Sequence, residues 1–250
     1  MLWSRTPSRR RARTPRPSPR LAADSSPAIL SARCWACPAD DGLHCNAVNV
    51  PEPTGAAEAA AAVQGPLHDA KSARLSLRRP TADDVPELFA MYSHPRAWRD
   101  DPTLRHTDID QTERAVERQD QRWQRYGFGV WVLRTLPGPS AGDLIGAGGC
   151  TLPSEVAWNL AFTLRPEFWG QGYAQEVAAA SIGCARTLRP DLPITAVVAE
   201  GNVRSQRAVG RAGLREVWRG PDPKDPDPTA TLLLYADRAL SPEQVRALTA

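Results

Sequence analysis

No stretch of this 250-residue sequence approaches 18 consecutive apolar residues, so no transmembrane span is expected. No secretory h-region follows the basic N-terminus, which sets a cleaved signal aside. No internal repeat is visible. Acidic residues are missing ahead of Asp24. Five cysteines give no disulfide framework, and a reducing cytoplasm is the expected compartment. Cys34-Trp35-Ala36-Cys37 with His44 and Cys45 places four donor side chains together. Their spacing and proline-rich setting offer no folded knuckle for zinc, so no metal is expected. Cys150 and Cys184 read as small core thiols.

Charge divides the chain. Residues 1–73 carry nine Lys and Arg against six Asp and Glu, and residues 74–250 carry 22 of each. The whole formal excess of +3 therefore sits in the leader. The remainder has no basic face of the strength that nucleic-acid binding demands; a leader acting as a salt-sensitive tether is the one reading that keeps nucleic acid as a partner. Pro7, Pro15, Pro17 and Pro19 forbid a helix among the early arginines and favour extended disorder. Thr54 to Val63 is rich in alanine and suits at most a fleeting helix. The expected organisation is a disordered Arg/Pro/Ala-rich leader over 1–73, or a start placed too far upstream, in preference to an organelle-targeting leader suggested by the arginines, followed by one domain over 74–250.

Within that domain the patterns alternate between strand and helix. Arg74 to Arg78 alternates polar and apolar as a first strand does. Val85 to Tyr92 follows as a helix, with Thr81 or Asp83 as its cap. Asp110 to Tyr126 reads as a charged helix touching the core through Ala115, Val116 and Trp123. Val130 to Leu133 and Leu144 to Cys150 are paired strands about a Pro-Gly-Pro turn. Ala157 to Leu164 carries the aromatic and branched residues of a half-buried strand. From Gln175 to Leu188, Val177, Ser181, Cys184 and Leu188 form one stripe with Ala178, Ile182 and Ala185 beside it. Glu176 suits the positive end of this helix, Arg186 and Arg189 its negative end, and Pro190 stops it. Ile194 to Ala199 is a strand buried on both faces. Asn202 caps a short helix that ends at Gly213. Thr231 to Ala236 is a late strand after a loop from Pro221 to Pro228, and Ser241-Pro242-Glu243 opens a terminal helix.

The junction Leu164-Arg165-Pro166-Glu167-Phe168-Trp169-Gly170-Gln171-Gly172-Tyr173-Ala174-Gln175-Glu176 stands out. A strand gives way to a glycine-bearing turn and then to a helix N-terminus. Main-chain N–H groups there point outward with little side-chain bulk, an arrangement suited to a phosphate or diphosphate. The flanking strand-turn-helix-strand pattern lifts the two glycines above an ordinary turn.

The run from Trp158 to Glu216 resembles the GNAT superfamily of acetyl-CoA-dependent N-acetyltransferases. The wording LRPEFWGQGYAQE, followed by N-x-x-S at Asn202 to Ser205 and by Ala212-Gly213-Leu214, resembles the branch of ribosomal-protein alanine acetyltransferases, the RimJ/RimL-like proteins. Related features extend from Leu75 to about Leu240. The resemblance implies an α/β (α+β) domain with a mixed, mostly antiparallel sheet flanked by helices, and two splayed central parallel strands. It implies acetyl-CoA as co-substrate and a primary amine, on a protein N-terminus or a small molecule, as acceptor. It assigns pantetheine to the backbone of Phe162, Thr163 and Leu164. It assigns the diphosphate to Trp169, Gly170, Gln171, Gly172, Tyr173 and Ala174. Relatives usually open this turn with Arg or Gln; Trp169, common at this position in the branch, carries no charge, which leaves the main-chain amides to hold the diphosphate largely alone. Asn202 and Ser205 fall near the thioester arm, and Arg204 or Arg207 is placed to meet a 3′-phosphate.

The resemblance also implies chemistry. An amine attacking a thioester must be neutral, whereas an alkyl amine is mostly protonated at pH 7. Positioning contributes up to roughly 7–11 kcal/mol in ideal cases. A main-chain N–H near Thr163 or Leu164 polarises the carbonyl, and Ser205 donates a proton to the departing sulfur. The base stays open. Relatives place a carboxylate where Asn159 stands; Glu155, Glu200, a relayed water and no base at all remain. The same gap keeps alive a non-catalytic acyl-CoA-binding module of the same fold. For the acceptor side, His94, Trp98, His106, Trp123, Tyr126 and Phe128 are candidate lining, with Asp100, Asp101 and Asp108 on a nearby acidic loop.

Overall fold

A computed structural model describes residues 64–136, 142–153 and 155–250. The expectations for residues 1–63, including the four Cys and His donors and the alanine-rich stretch, lie outside the described residues.

Eight strands form one open sheet in the order β1-β2-β3-β4-β5-β6-β8-β7. They are β1 (Asp69–Lys71), β2 (Leu75–Arg78), β3 (Val130–Thr135), β4 (Leu144–Thr151), β5 (Trp158–Leu164), β6 (Ile194–Ala199), β7 (Arg215–Pro221) and β8 (Thr231–Ala236). Five α-helices lie among the described residues: α1 (Val85–Tyr92), α2 (Ile109–Tyr126), α3 (Tyr173–Leu188), α4 (Val203–Arg211) and α5 (Pro242–Thr249). Every pairing is antiparallel except β5 with β6. The mixed, mostly antiparallel sheet expected from the sequence is therefore the observed one.

Strand alternation sorts the side chains into two cores. Val130 and Val132 of β3 face α1 and α2, joining Leu88, Met91, Ala115 and Val116. Trp131 and Leu133, one residue out of phase, face the other side and join Val177, Ala178 and Ala185 of α3. Close approach makes the second core possible. A Cβ on Gly148 of β4 would lie 2.7 Å from the Phe162 Cβ and 2.8 Å from the Val177 Cγ1, so only glycine lets α3 settle on the strand. Toward the far end, α5 places Leu248 against Ala157 and Leu234.

Caps explain the helix limits. Asp108 accepts from the Asp110 N–H and forms a capping box with Gln111 at the start of α2, and Gly127 at φ 66° ends it in the left-handed conformation. Asp84, 1% exposed, anchors α1 to the sheet by accepting from Arg78 at 2.7 Å and Arg134 at 3.3 Å.

The sheet starts earlier than residue 74. β1 pairs with β2, Gln64 bridges to Lys71, and the Trp131 indole N–H donates to the Leu67 carbonyl at 2.6 Å. Residues 64–73, read as leader from composition, are thus part of the fold. β7 also had no counterpart in the sequence pattern.

Candidate active site

The site begins where the two parallel strands part. Trp158 pairs with Ile194 and Asn159 with Thr195. The Trp158 N–H donates to the Pro193 carbonyl at 2.9 Å, and the Thr195 hydroxyl donates to the Trp158 carbonyl at 2.9 Å. Beyond this vertex each strand keeps its antiparallel partner, β4 or β8, and the parallel pairing ends.

Hydrogen-bond parity shows what the gap presents. The Arg165 N–H donates to Ile145 of β4, so the odd residues of β5 direct their main-chain groups to β4. The even residues, Phe162 and Leu164, direct theirs into the gap. Of the backbone groups expected to meet a ligand, those of Thr163 are therefore committed to β4. On the opposite bank the Asp237 N–H donates to the Ile194 carbonyl, which turns the main chain of Val197 into the gap. The Leu164 carbonyl is already engaged, accepting from the Trp169 indole at 2.9 Å.

The turn follows at the mouth. Gly170 and Gly172 have φ of 78° and 83°, values that L side chains rarely adopt. A Cβ at Gly170 would meet nothing within 4 Å, so the missing side chain keeps open space open. Gly170, Gln171 and Gly172 donate their N–H groups to no main-chain acceptor among the described residues. Tyr173 and Ala174 begin α3, and the first N–H groups of a helix have no acceptor within it. The amides, the dipole of the 16-residue helix and the open space fit a diphosphate.

One continuous cleft of about 690 Å³ joins the strand gap to this turn. Its lining includes Phe162, Thr163, Leu164, Trp169, Gly170, Gly172, Tyr173, Ala174, Asn202, Ser205 and Arg207. Asn202 is an N-cap, its side-chain oxygen accepting from the Ser205 N–H at 3.0 Å, and this cap sets the first turn of α4 beside β6. Gln175 of α3 ties the two helices by donating to the Ala208 carbonyl at 2.9 Å.

Other candidates lie elsewhere. Gln171 does not line the cleft; its side chain donates to the Glu167 carbonyl, and its own carbonyl accepts from Arg74. Glu155 sits in the β4–β5 connection, at the closed end of the strand pair, with φ 57°. Its carboxylate is paired with Arg125 and accepts from the Tyr126 hydroxyl, and it is not among the lining residues. The resting geometry does not bring Glu155 together with Ser205. Glu200 is likewise turned away, paired with Arg219. Of the aromatic candidates for the acceptor side, Trp98 lines the cleft, held by its indole N–H on the Tyr92 carbonyl at 2.6 Å. His106, Trp123 and Phe128 are buried in the core. Asp100 and Asp101 are the carboxylates on the lining.

The base of α3 carries its own brace. Glu176 accepts from the Ser72 hydroxyl at 2.7 Å, the Arg74 N–H at 2.8 Å and the Arg74 guanidinium at 2.7 Å. Burial pushes its carboxyl up, but these hydrogen bonds and the arginine charge outweigh that and hold it below its ordinary value. The sequence pattern marks Glu176 only as a dipole partner; its link to the β1–β2 turn leaves no local signal because the two lie about a hundred residues apart.

A family model described as an acetyltransferase (GNAT) domain matches residues 74–215. The chain belongs to the GNAT acetyltransferase family. Solved structures agree on the GNAT fold. An acetyltransferase from Agrobacterium tumefaciens str. C58 is 24% identical with a TM-score of 0.52, over 68% of this chain and 93% of that one. RimL, a ribosomal L7/L12 alpha-N-protein acetyltransferase in complex with coenzyme A, is 19% identical with a TM-score of 0.53, over 66% and 94%. Spermidine N-acetyltransferase from Vibrio cholerae, in complex with CoA and spermine, is 15% identical with a TM-score of 0.51, over 65% and 94%. No helix among the described residues is long and apolar enough to cross a membrane.

Proposed function

We propose that this GNAT protein transfers the acetyl group of acetyl-CoA to a primary amine, with an alpha-amine at a protein N-terminus as the favoured acceptor. The observation that carries the reading is the junction of two features in one cleft: a strand gap edged by the main chain of Phe162 and Leu164, and a turn where the amides of Gly170 and Gly172 have no main-chain acceptor among the described residues and Tyr173 and Ala174 open α3. Such a notch holds an extended amide-bearing arm along β5 and a diphosphate at the turn. The donor supplies an activated acyl thioester. The protein's part is to align it, to present the Leu164 or Phe162 N–H to the carbonyl oxygen, and to give a proton to sulfur from Ser205.

The acceptor preference follows from the acid–base inventory. Glu155 and Glu200 are paired away from the cleft, the lining carboxylates are engaged, Asp100 by Arg99 and Arg204 and Asp101 by the Thr103 hydroxyl, and Asn159 on β5 does not titrate. A lysine-like amine, with a pKa near 10.4, is neutral in less than about a thousandth of molecules at pH 7, whereas an α-amine near 7.7–8.0 is neutral in roughly a tenth. A site with little help from a base suits the α-amine. The RimJ/RimL-like wording from Leu164 to Glu176 points the same way. We place the protein in a reducing cytoplasm, in keeping with the free thiols of Cys150 and Cys184.

Thiol release from acetyl-CoA, measured with peptides bearing free N-termini and with small amines, tests this reading. Turnover is expected with at least one peptide, rising from pH 7 to 9 as the α-amine deprotonates. Ser205→Ala is expected to lower turnover by about a hundredfold with coenzyme A affinity retained. The lack of a carboxylate on β5 itself favours a second reading, an acyl-CoA-binding module without catalysis. Tight coenzyme A binding with no release toward any amine selects that alternative.

A further inference from the structure

The turn opens with the uncharged Trp169, where relatives usually carry Arg or Gln, yet a cation lies on it. The Arg204 guanidinium of α4 stacks over the Trp169 ring, 3.7 Å from its centroid. It reaches across the cleft to Asp100, in the segment after α1, at 3.8 Å. All three residues line the same cleft. A second arginine, Arg74, stacks on Tyr173 of the turn at 4.3 Å, but it is committed: it contacts Glu176 at 2.7 Å and donates to the Gln171 carbonyl at 2.9 Å. It does not line the cleft. Arg204 is held loosely by comparison, at a distance beyond a hydrogen bond, and Asp100 has another partner in Arg99 at 3.2 Å. The ring fixes the guanidinium one residue before Gly170, while the carboxylate only occupies it.

Resting on the donor-site reading above, we propose that Arg204 is the cation for the donor's diphosphate, carried on the face of Trp169, and that the diphosphate displaces Asp100 from it. Arg204 keeps its stack and trades a carboxylate at 3.8 Å for a doubly charged partner able to accept two hydrogen bonds from the guanidinium. Trp169 thus replaces a charged side chain in the turn by a platform for one on α4. The exchange also leaves Asp100 with a single cation, so donor binding makes the cleft more attractive to a positively charged acceptor.

Calorimetry on the full chain tests this, using coenzyme A, dephospho-coenzyme A and pantetheine against wild type, Arg204→Ala, Asp100→Asn and the double variant. Arg204→Ala is expected to weaken coenzyme A and dephospho-coenzyme A alike by about tenfold, with pantetheine unchanged. Asp100→Asn is expected to tighten both diphosphate ligands several-fold, and this gain is expected to vanish in the double variant. The opposite signs separate competition from a structural ion pair, whose loss from either side acts in the same direction. Equal affinities for wild type and Asp100→Asn, or weaker binding by Asp100→Asn, overturn the proposal. A loss confined to coenzyme A overturns it too, by assigning Arg204 to the 3′-phosphate. If wild type binds none of the three, the donor site itself is refuted, an outcome distinct from intact binding that is indifferent to Arg204.

Discussion

At Gly172 two separate demands meet: a φ of 83° and space for a ligand beside the first amides of α3. Alanine there is strained by about 1–2 kcal/mol, so Gly172→Ala is expected to lower thermal stability modestly and to weaken coenzyme A. Gly172→Glu adds bulk and a negative charge at the diphosphate position and is expected to abolish binding; titration calorimetry that finds unchanged affinity rules the turn out. Glu176 offers a pH test. Its carboxyl is held below its ordinary value near 4.5 in the folded protein, so its contribution to stability is complete above that pH and is lost as the pH falls through the lower folded value. Glu176→Gln is therefore expected to be less stable than wild type at neutral pH, with the difference narrowing between about pH 5 and 3. Denaturant titrations across that range follow it. Both residues are legible in the sequence, Gly172 from the strand-turn-helix wording and Glu176 from its place in a first turn. The Arg204 stack on Trp169 was not legible, because a ring and a guanidinium 35 positions apart leave no local pattern.

The elements follow the hydrophobic period wherever a buried face imposes one. α1, β6 and β8 fall on the expected residues, and α2, α3 and β5 within a residue or two, since each carries a stripe or alternation that packing enforces. β7 escaped notice because it is an edge strand with most of its residues exposed, where the polar-apolar signal fades. β1 escaped because three residues in a leader of unlike composition carry no period at all. Its weight in the fold is testable. A chain starting at Arg74 lacks the Leu67 carbonyl beneath the Trp131 indole and the Ser72 hydroxyl on Glu176. Compared with a chain starting at Gln64, it is expected to lose about 1–3 kcal/mol with the hydrogen bonds to the Trp131 indole and the Glu176 carboxylate. Equal melting midpoints for the two chains would show that β1 is ornamental.

On the scale of the whole molecule, the family and the cleft were readable because a few motif residues sit at the sheet's centre. The position of Glu155 was not, since residues close to β5 in sequence lie at the wrong end of it in space. The sheet consists of two wings, β1 to β5 and β6, β8 and β7, whose strands pair with each other, among the described residues, only at Trp158 and Asn159. So short a seam leaves the packing of α3 on β4 and β5, and of α4 on β6, to brace the wings. A guest that bonds to both banks at once acts as a staple. Coenzyme A at a hundredfold excess over its dissociation constant is then expected to raise stability by about 2.7 kcal/mol. The slowing of amide hydrogen exchange should concentrate at Phe162, Leu164, Val197 and Ala199, leaving the outer strands nearly as they were. The protein would thus stiffen along one line, and its resting looseness would be a property of that line alone.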